Sequence, residues 1–273
     1  MTMLFRFLQV LTIMNKRFRY FISSLFSALG FFMFINLPYE SRYFGLMAGC
    51  VLVIFCFWFG LGILFEKSMY TRLMSVLLPV SFFVGFGLFG AFLPQDRMLT
   101  ASMSFIFGAV LYILFLVENV FLVAIGYKTV PLYRAAYTVS LIILLLSAFF
   151  MFNSLFSFRM GFIENGIGVF VISLFLFLYQ FWAIAIELPD DGANKNLKAY
   201  VFIPSLLMAE VAVVLSFWPT GIFKGSVYLV SIIYIFSSLM QAEIRERLFK
   251  RMWMMYVWVT VAVVLAMLSI TKW

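Results

Sequence analysis

Residues 101–126 read ASMSFIFGAVLYILFLVENVFLVAIG, an apolar run with one side chain of the Asp, Glu, Lys and Arg class, Glu118. At about 1.5 Å of rise per residue, a helix over this run exceeds the roughly 30 Å hydrocarbon core of a bilayer. Arg97 precedes the run and Lys128 follows it, so polar residues bracket it on both sides. It therefore reads as a membrane-crossing helix with a carboxyl group inside. A charge at the bilayer centre costs roughly 2.5–3.5 kcal/mol on insertion scales, and keeping a glutamate neutral at pH 7 costs a similar amount.

Working outward, eight more apolar runs of crossing length occur, at about 20–37, 45–65, 73–93, 135–156, 167–187, 199–218, 226–242 and 252–270. Short connectors rich in turn formers separate them, such as Pro38 to Arg42, Pro94 to Arg97 and Pro189 to Gly192. The 273 residues are 66% hydrophobic and 11% charged, with a mean hydropathy of +1.12, which excludes a water-soluble globular class. The expected fold is all-α: one bundle of nine transmembrane helices over 20–273, preceded by an interfacial amphipathic segment over 1–19. Such a chain has no room for a separate soluble domain.

Charge gives the orientation, because cytoplasmic loops collect lysine and arginine. Alternating the loops puts fourteen of the 19 basic residues on one side. The other side holds Arg42, Arg97, Arg159, Lys224 and Lys272, one in each segment. This predicts a cytoplasmic amino terminus, an outside carboxyl terminus and residence in a bacterial cytoplasmic membrane. Residues 1–14 lack a convincing cleavage site and read as an interfacial helix rather than a signal peptide. Lys16, Arg17, Arg19, Arg245, Arg247, Lys250 and Arg251 are the expected contacts to anionic headgroups or to a partner. Tyr39, Tyr43, Trp218, Trp253 and Trp273 fall near predicted interfaces, whereas Trp58 and Trp182 do not.

Most chemical motifs are absent. With no histidine and two cysteines, the familiar metal and redox constellations cannot be built, and no cofactor or metal is expected. Cys50 and Cys56 share one span, too far apart for a disulfide, and read as small hydrophobes. Gly85-Phe86-Gly87-Leu88-Phe89-Gly90 matches a dinucleotide-binding string, but it lies inside a span, where small residues serve close helix approach. Gly45 with Gly49 and Ser104 with Gly108 are read the same way. The connector Glu187 to Asn194 carries three carboxylates in no EF-hand spacing and reads as a turn. Glu243 to Arg251 offers Glu-first pairs four residues apart, which favours a helical extension of the eighth span. No catalytic string is found, so no enzyme activity is expected.

The candidate site follows from depth. Glu118 and Glu210 are carboxylates inside spans. Glu118 flanks a small or polar stripe of Ser104, Gly108, Tyr112 and Asn119, with Gln180 at similar depth in the sixth span. Glu210 shares its face with Ile203, Leu206, Leu207, Val214 and Phe217, six residues after Pro204. Arg134 is the candidate charge partner.

Leu116-Val117-Glu118-Asn119-Val120-Phe121, followed by Lys128 to Ala136 with Pro131 and Arg134, resembles a group of uncharacterised multi-spanning membrane proteins of reduced-genome candidate-phylum bacteria. The resemblance covers about 20 residues and carries no activity. It implies a bacterial membrane protein and draws attention to Glu118, Asn119 and Arg134.

The leading expectation is transport or permeation of a small solute or ion, using Glu118, Asn119, Gln180 and Glu210. The alternative is a non-catalytic assembly or scaffold subunit that binds a membrane protein partner or a second copy through its basic segments. The lipid bilayer is the expected surrounding, and nucleic acid is not an expected partner.

Overall fold

The computed structural model describes residues 15–62, 68–94, 96–126, 131–186, 197–219, 221–245 and 249–270. Among these residues there is no strand, and nine helices follow one another. They are α1 (Lys16–Ile35), α2 (Arg42–Leu61), α3 (Met69–Ala91), α4 (Arg97–Gly126), α5 (Tyr133–Ser157), α6 (Phe162–Ala185), α7 (Leu197–Phe217), α8 (Ile222–Ile244) and α9 (Lys250–Ile270). A 3-10 turn, Tyr39–Ser41, leads into α2. The first eight are long and apolar enough to cross a membrane, and α9 contains a shorter apolar stretch, Trp253–Ser269.

Each expected span overlaps one helix, but every helix starts two to five residues earlier than the apolar run, and five of them also end one to four residues sooner. Polar residues do not end a helix at a membrane surface. They supply its first turn, as Arg97 does for α4, or its cap, as the Ser68 hydroxyl does by accepting the Thr71 N–H at 3.3 Å. The shifted boundaries also relocate two tryptophans. Trp58 and Trp182 lie within four residues of the ends of α2 and α6, and the Trp58 indole N–H donates to the Arg72 carbonyl at 3.1 Å.

The described chain forms two compact units, Met1–Leu122 and Val123–Trp273. In the first, α1 buries Tyr20, Ser24, Ser27, Phe31 and Phe34, and α4 buries Thr100, Ser104, Phe107, Leu111, Leu114, Glu118 and Phe121. Both sets advance by alternating steps of four and three residues, the spacing of a helix seam. Phe31 stacks on Phe107 with centroids 4.4 Å apart, while Tyr20 stacks on Phe115 at 5.4 Å. Rising positions in α1 thus meet falling positions in α4, so the two are antiparallel. A side chain on Gly108 would come within 3.0 Å of Ala28, and one on Gly49 of α2 would strike the Phe83 ring. These glycines set the helix spacing. Gly87 and Gly90, from the dinucleotide-like string, likewise admit Phe34 and Met103, so the string is a packing surface inside α3.

In the second unit, α5 buries Tyr133, Tyr137, Ser140, Leu144, Ser147 and Ser154 along one seam. Helices α6 and α7 are antiparallel. The Asn165 amide donates to Ser216 Oγ at 3.2 Å, and Phe181 stacks on Tyr200 at the opposite end. The inner seam of α7 is Val201, Ser205, Met208, Ala212 and Leu215, and the helix runs unbroken through Pro204. Buried serines are tolerated because each can turn its hydroxyl back onto a carbonyl four residues earlier, as Ser27, Ser147 and Ser205 do. Helix α9 packs on α8 and is otherwise largely exposed.

Candidate functional site

The two glutamates lie on opposite kinds of helix surface. Glu118 falls on the buried seam of α4 and is 0% exposed. Its neighbour Asn119 accepts a hydrogen bond from the Tyr20 hydroxyl at 3.0 Å. The antiparallel register puts Arg19 of α1 at the same level, and Arg19 is itself buried. Both Glu118 and Arg19 are engaged with other groups. A carboxylate, a guanidinium, a phenol and an amide therefore collect where the start of α1 meets the latter part of α4. Arg19, expected at the lipid headgroups, instead turns inward, whereas Lys16 and Arg17 remain exposed.

Gln180 belongs to the second unit. It is fully buried on α6, and its side-chain N–H donates to the Tyr137 hydroxyl of α5. Its carbonyl oxygen has no hydrogen-bond partner among the described residues. One helical turn away, the Tyr133 hydroxyl donates to the Ala183 carbonyl, so two phenols of α5 clip onto the last turns of α6. The Arg245 guanidinium sits over the Tyr137 ring, 5.7 Å from its centroid. Such a cation–π contact contributes about 0.5–1 kcal/mol at a partly exposed site. Arg245, another expected headgroup contact, is thus folded against the protein, while Lys250 and Arg251 at the start of α9 are exposed. Arg247 lies outside the described residues, as does the connector Glu187 to Asn194. Arg134 is exposed at the start of α5.

Glu210 is exposed on α7. Along the same face lie Ile203 at 53% exposure, Leu207 at 38%, Val214 at 56% and Phe217 at 72%. With Glu210 between them these residues again advance by four, three, four and three. Helix α7 therefore carries two seams, an inner one spent on its own unit and an outer one that is apolar except for a carboxylate. Among the described residues no hydrogen bond or ion pair involves Glu210.

Of the expected set, Glu118 and Asn119 belong to the first unit and Gln180 and Glu210 to the second. Asn119 takes its partner from Tyr20 within the first unit, and Gln180 takes its partner from Tyr137 within the second. The two tyrosines were not picked out as site residues, and Arg19 was expected only at headgroups or a partner. The phenols and serines that recur along the seams of α1 and α5, Tyr20, Ser24 and Ser27 in one and Tyr133, Tyr137, Ser140, Ser147 and Ser154 in the other, were the available signal. Among the described residues no group of three or more metal-ligating side chains occurs. Cys50 and Cys56 are free thiols, half-buried in α2.

A sequence family, described as a protein of unknown function (DUF5656), matches residues 38–270. The chain belongs to that family. The matched range contains α2 to α9 with both Glu118 and Glu210 of this DUF5656 chain, while α1, with Arg19 and Tyr20, precedes it. No curated protein and no solved structure matches the chain.

Proposed function

We propose that the chain is a non-enzymatic assembly subunit of a bacterial cytoplasmic membrane. In this reading nine helices cross the bilayer, with the amino terminus in the cytoplasm and the carboxyl terminus outside. The organism class follows the resemblance to candidate-phylum membrane proteins. The exposed basic residues Lys16, Arg17, Lys250 and Arg251 meet anionic headgroups on the cytoplasmic face. The observation that carries the assembly reading is the placement of Glu210 on an exposed, otherwise apolar helix face. A lone chain would gain by burying that carboxyl group or by lacking it. A subunit gains by keeping it for a contact.

The test is gentle cross-linking in native membranes followed by native gel electrophoresis of the full chain. A discrete heteromeric complex is the expected result, and a monodisperse, partner-free chain would overturn the reading.

A transport reading rests on a different observation, the complete burial of Glu118 beside Asn119 at membrane depth. Cysteine at position 118, in a background without Cys50 and Cys56, would then react with a membrane-impermeant thiol reagent. Solute flux in vesicles would also be lost in Glu118→Gln. Silence in both assays, with a loop cysteine labelled as control, leaves Glu118 a packing residue.

A further inference from the structure

We propose that the outer seam of α7 docks one transmembrane helix of another membrane protein, and that this helix carries a lysine or arginine at the depth of Glu210. The inference rests on the assembly reading and names the chemistry of the partner.

Three observations lead there. First, the exposed positions Ile203, Leu207, Glu210, Val214 and Phe217 keep the alternating four and three spacing over the length of the helix. A straight helix laid along α7 can meet all five at once. Second, Glu210 stands seven residues before Phe217, about 10 Å from that end of α7, and farther from the other end. A glutamate side chain is too short to reach headgroups from there, unlike the long basic side chains that extend from helix ends. Its complement must come from within the bilayer. Third, the charge is negative and the rest of the seam is apolar, so the matching surface is an apolar helix with one cation.

A second copy of this chain does not fit that surface. In a two-fold dimer of a membrane protein the copies share one depth, which would set Glu210 against Glu210. Nor does a copy offer a cation elsewhere. Among the described side chains, every exposed lysine or arginine lies in the first two residues of a helix or outside a helix.

The test uses full-length protein, with a benzophenone side chain in place of Val214, in phosphatidylcholine vesicles. Each vesicle preparation also contains a polyleucine transmembrane peptide with either no polar residue, one arginine about 10 Å from its end, or one glutamate there. The arginine peptide is expected to cross-link about tenfold more than the all-leucine peptide, with the preference lost in Glu210→Gln. In Glu210→Lys the preference should pass to the glutamate peptide. Equal yields for all peptides, an arginine preference that survives Glu210→Gln, or cross-linking mainly between copies of the chain would each overturn the proposal. Because Glu210 is exposed, these variants should keep their helical circular dichroism and monodispersity, which guards against a folding artefact. The same Glu210→Gln variant in native membranes separates this proposal from the reading beneath it. A complex that persists without Glu210 sinks the seam and leaves assembly standing. The absence of any complex in the wild type sinks assembly itself.

Discussion

The Tyr20 hydroxyl reaches the Asn119 side-chain oxygen at 3.0 Å, joining α1 to α4 across 99 positions of chain. A hydrogen bond in such a setting contributes about 1 kcal/mol net, and an orphaned buried partner costs about 1–3 kcal/mol. Tyr20→Phe should therefore lower thermal stability in detergent, whereas Tyr20→Phe with Asn119→Leu should recover part of the loss. If the double variant is as unstable as the sum of the singles, the bond does not couple the two helices.

Arg19 and Glu118 flank that bond, one on each helix, and both are buried. If they neutralise each other, removing one leaves a buried charge, at about 3–5 kcal/mol, whereas replacing both with apolar residues is far cheaper. A double-mutant cycle with Arg19→Leu and Glu118→Leu should show strong coupling. Additive losses would assign Glu118 another partner.

The two glutamates should separate in a stability assay. Glu118→Ala empties space on the buried seam of α4 and should cost about 2–5 kcal/mol by the usual large-to-small range. Glu210→Ala, at an exposed position of α7, should stay within about 0.5 kcal/mol of the parent. Equal losses on thermal unfolding would contradict the two-seam description.

Gly49 and Gly126 offer a matched contrast. A side chain at Gly49 meets the Phe83 ring, while at Gly126 nothing lies within 4 Å. Gly49→Leu should destabilise by about 1–3 kcal/mol through overpacking, and Gly126→Ala should be neutral or slightly stabilising. Unfolding in a graded denaturing detergent reads both, and a tolerant Gly49 would mean that α2 and α3 can move apart freely.

Much of this architecture was written in the chain. The apolar runs locate all nine helices among the described residues, because a helix with no water to bond its backbone must close its own hydrogen bonds over the full run. Position inside an apolar helix was legible too, and it singled out Glu118 and Glu210 among the carboxylates. What position along the helix could not supply was the choice of face. Helix α7 offers two apolar seams two residues apart, and only the packing of α6 decides that Met208 turns inward and Glu210 outward. The fate of Arg19 was hidden for the same reason. A basic residue beside Lys16 and Arg17 reads as a headgroup contact until α4 brings a buried carboxylate to its level. Tyr137 with Gln180 depends on α5 and α6 lying antiparallel in one register, which residue counting approximates but does not fix.

The outer seam of α7 has a consequence for turnover in the cell. On the proposed docking, a chain without its partner would hold a carboxylate against lipid, where it would thin the bilayer and draw water inward. Such a defect would distinguish a surplus copy from an assembled one and expose it to a membrane protease. The amount of this protein would then be set less by its synthesis than by the supply of the helix that covers Glu210, and Glu210→Leu would accumulate above the parent when expressed alone.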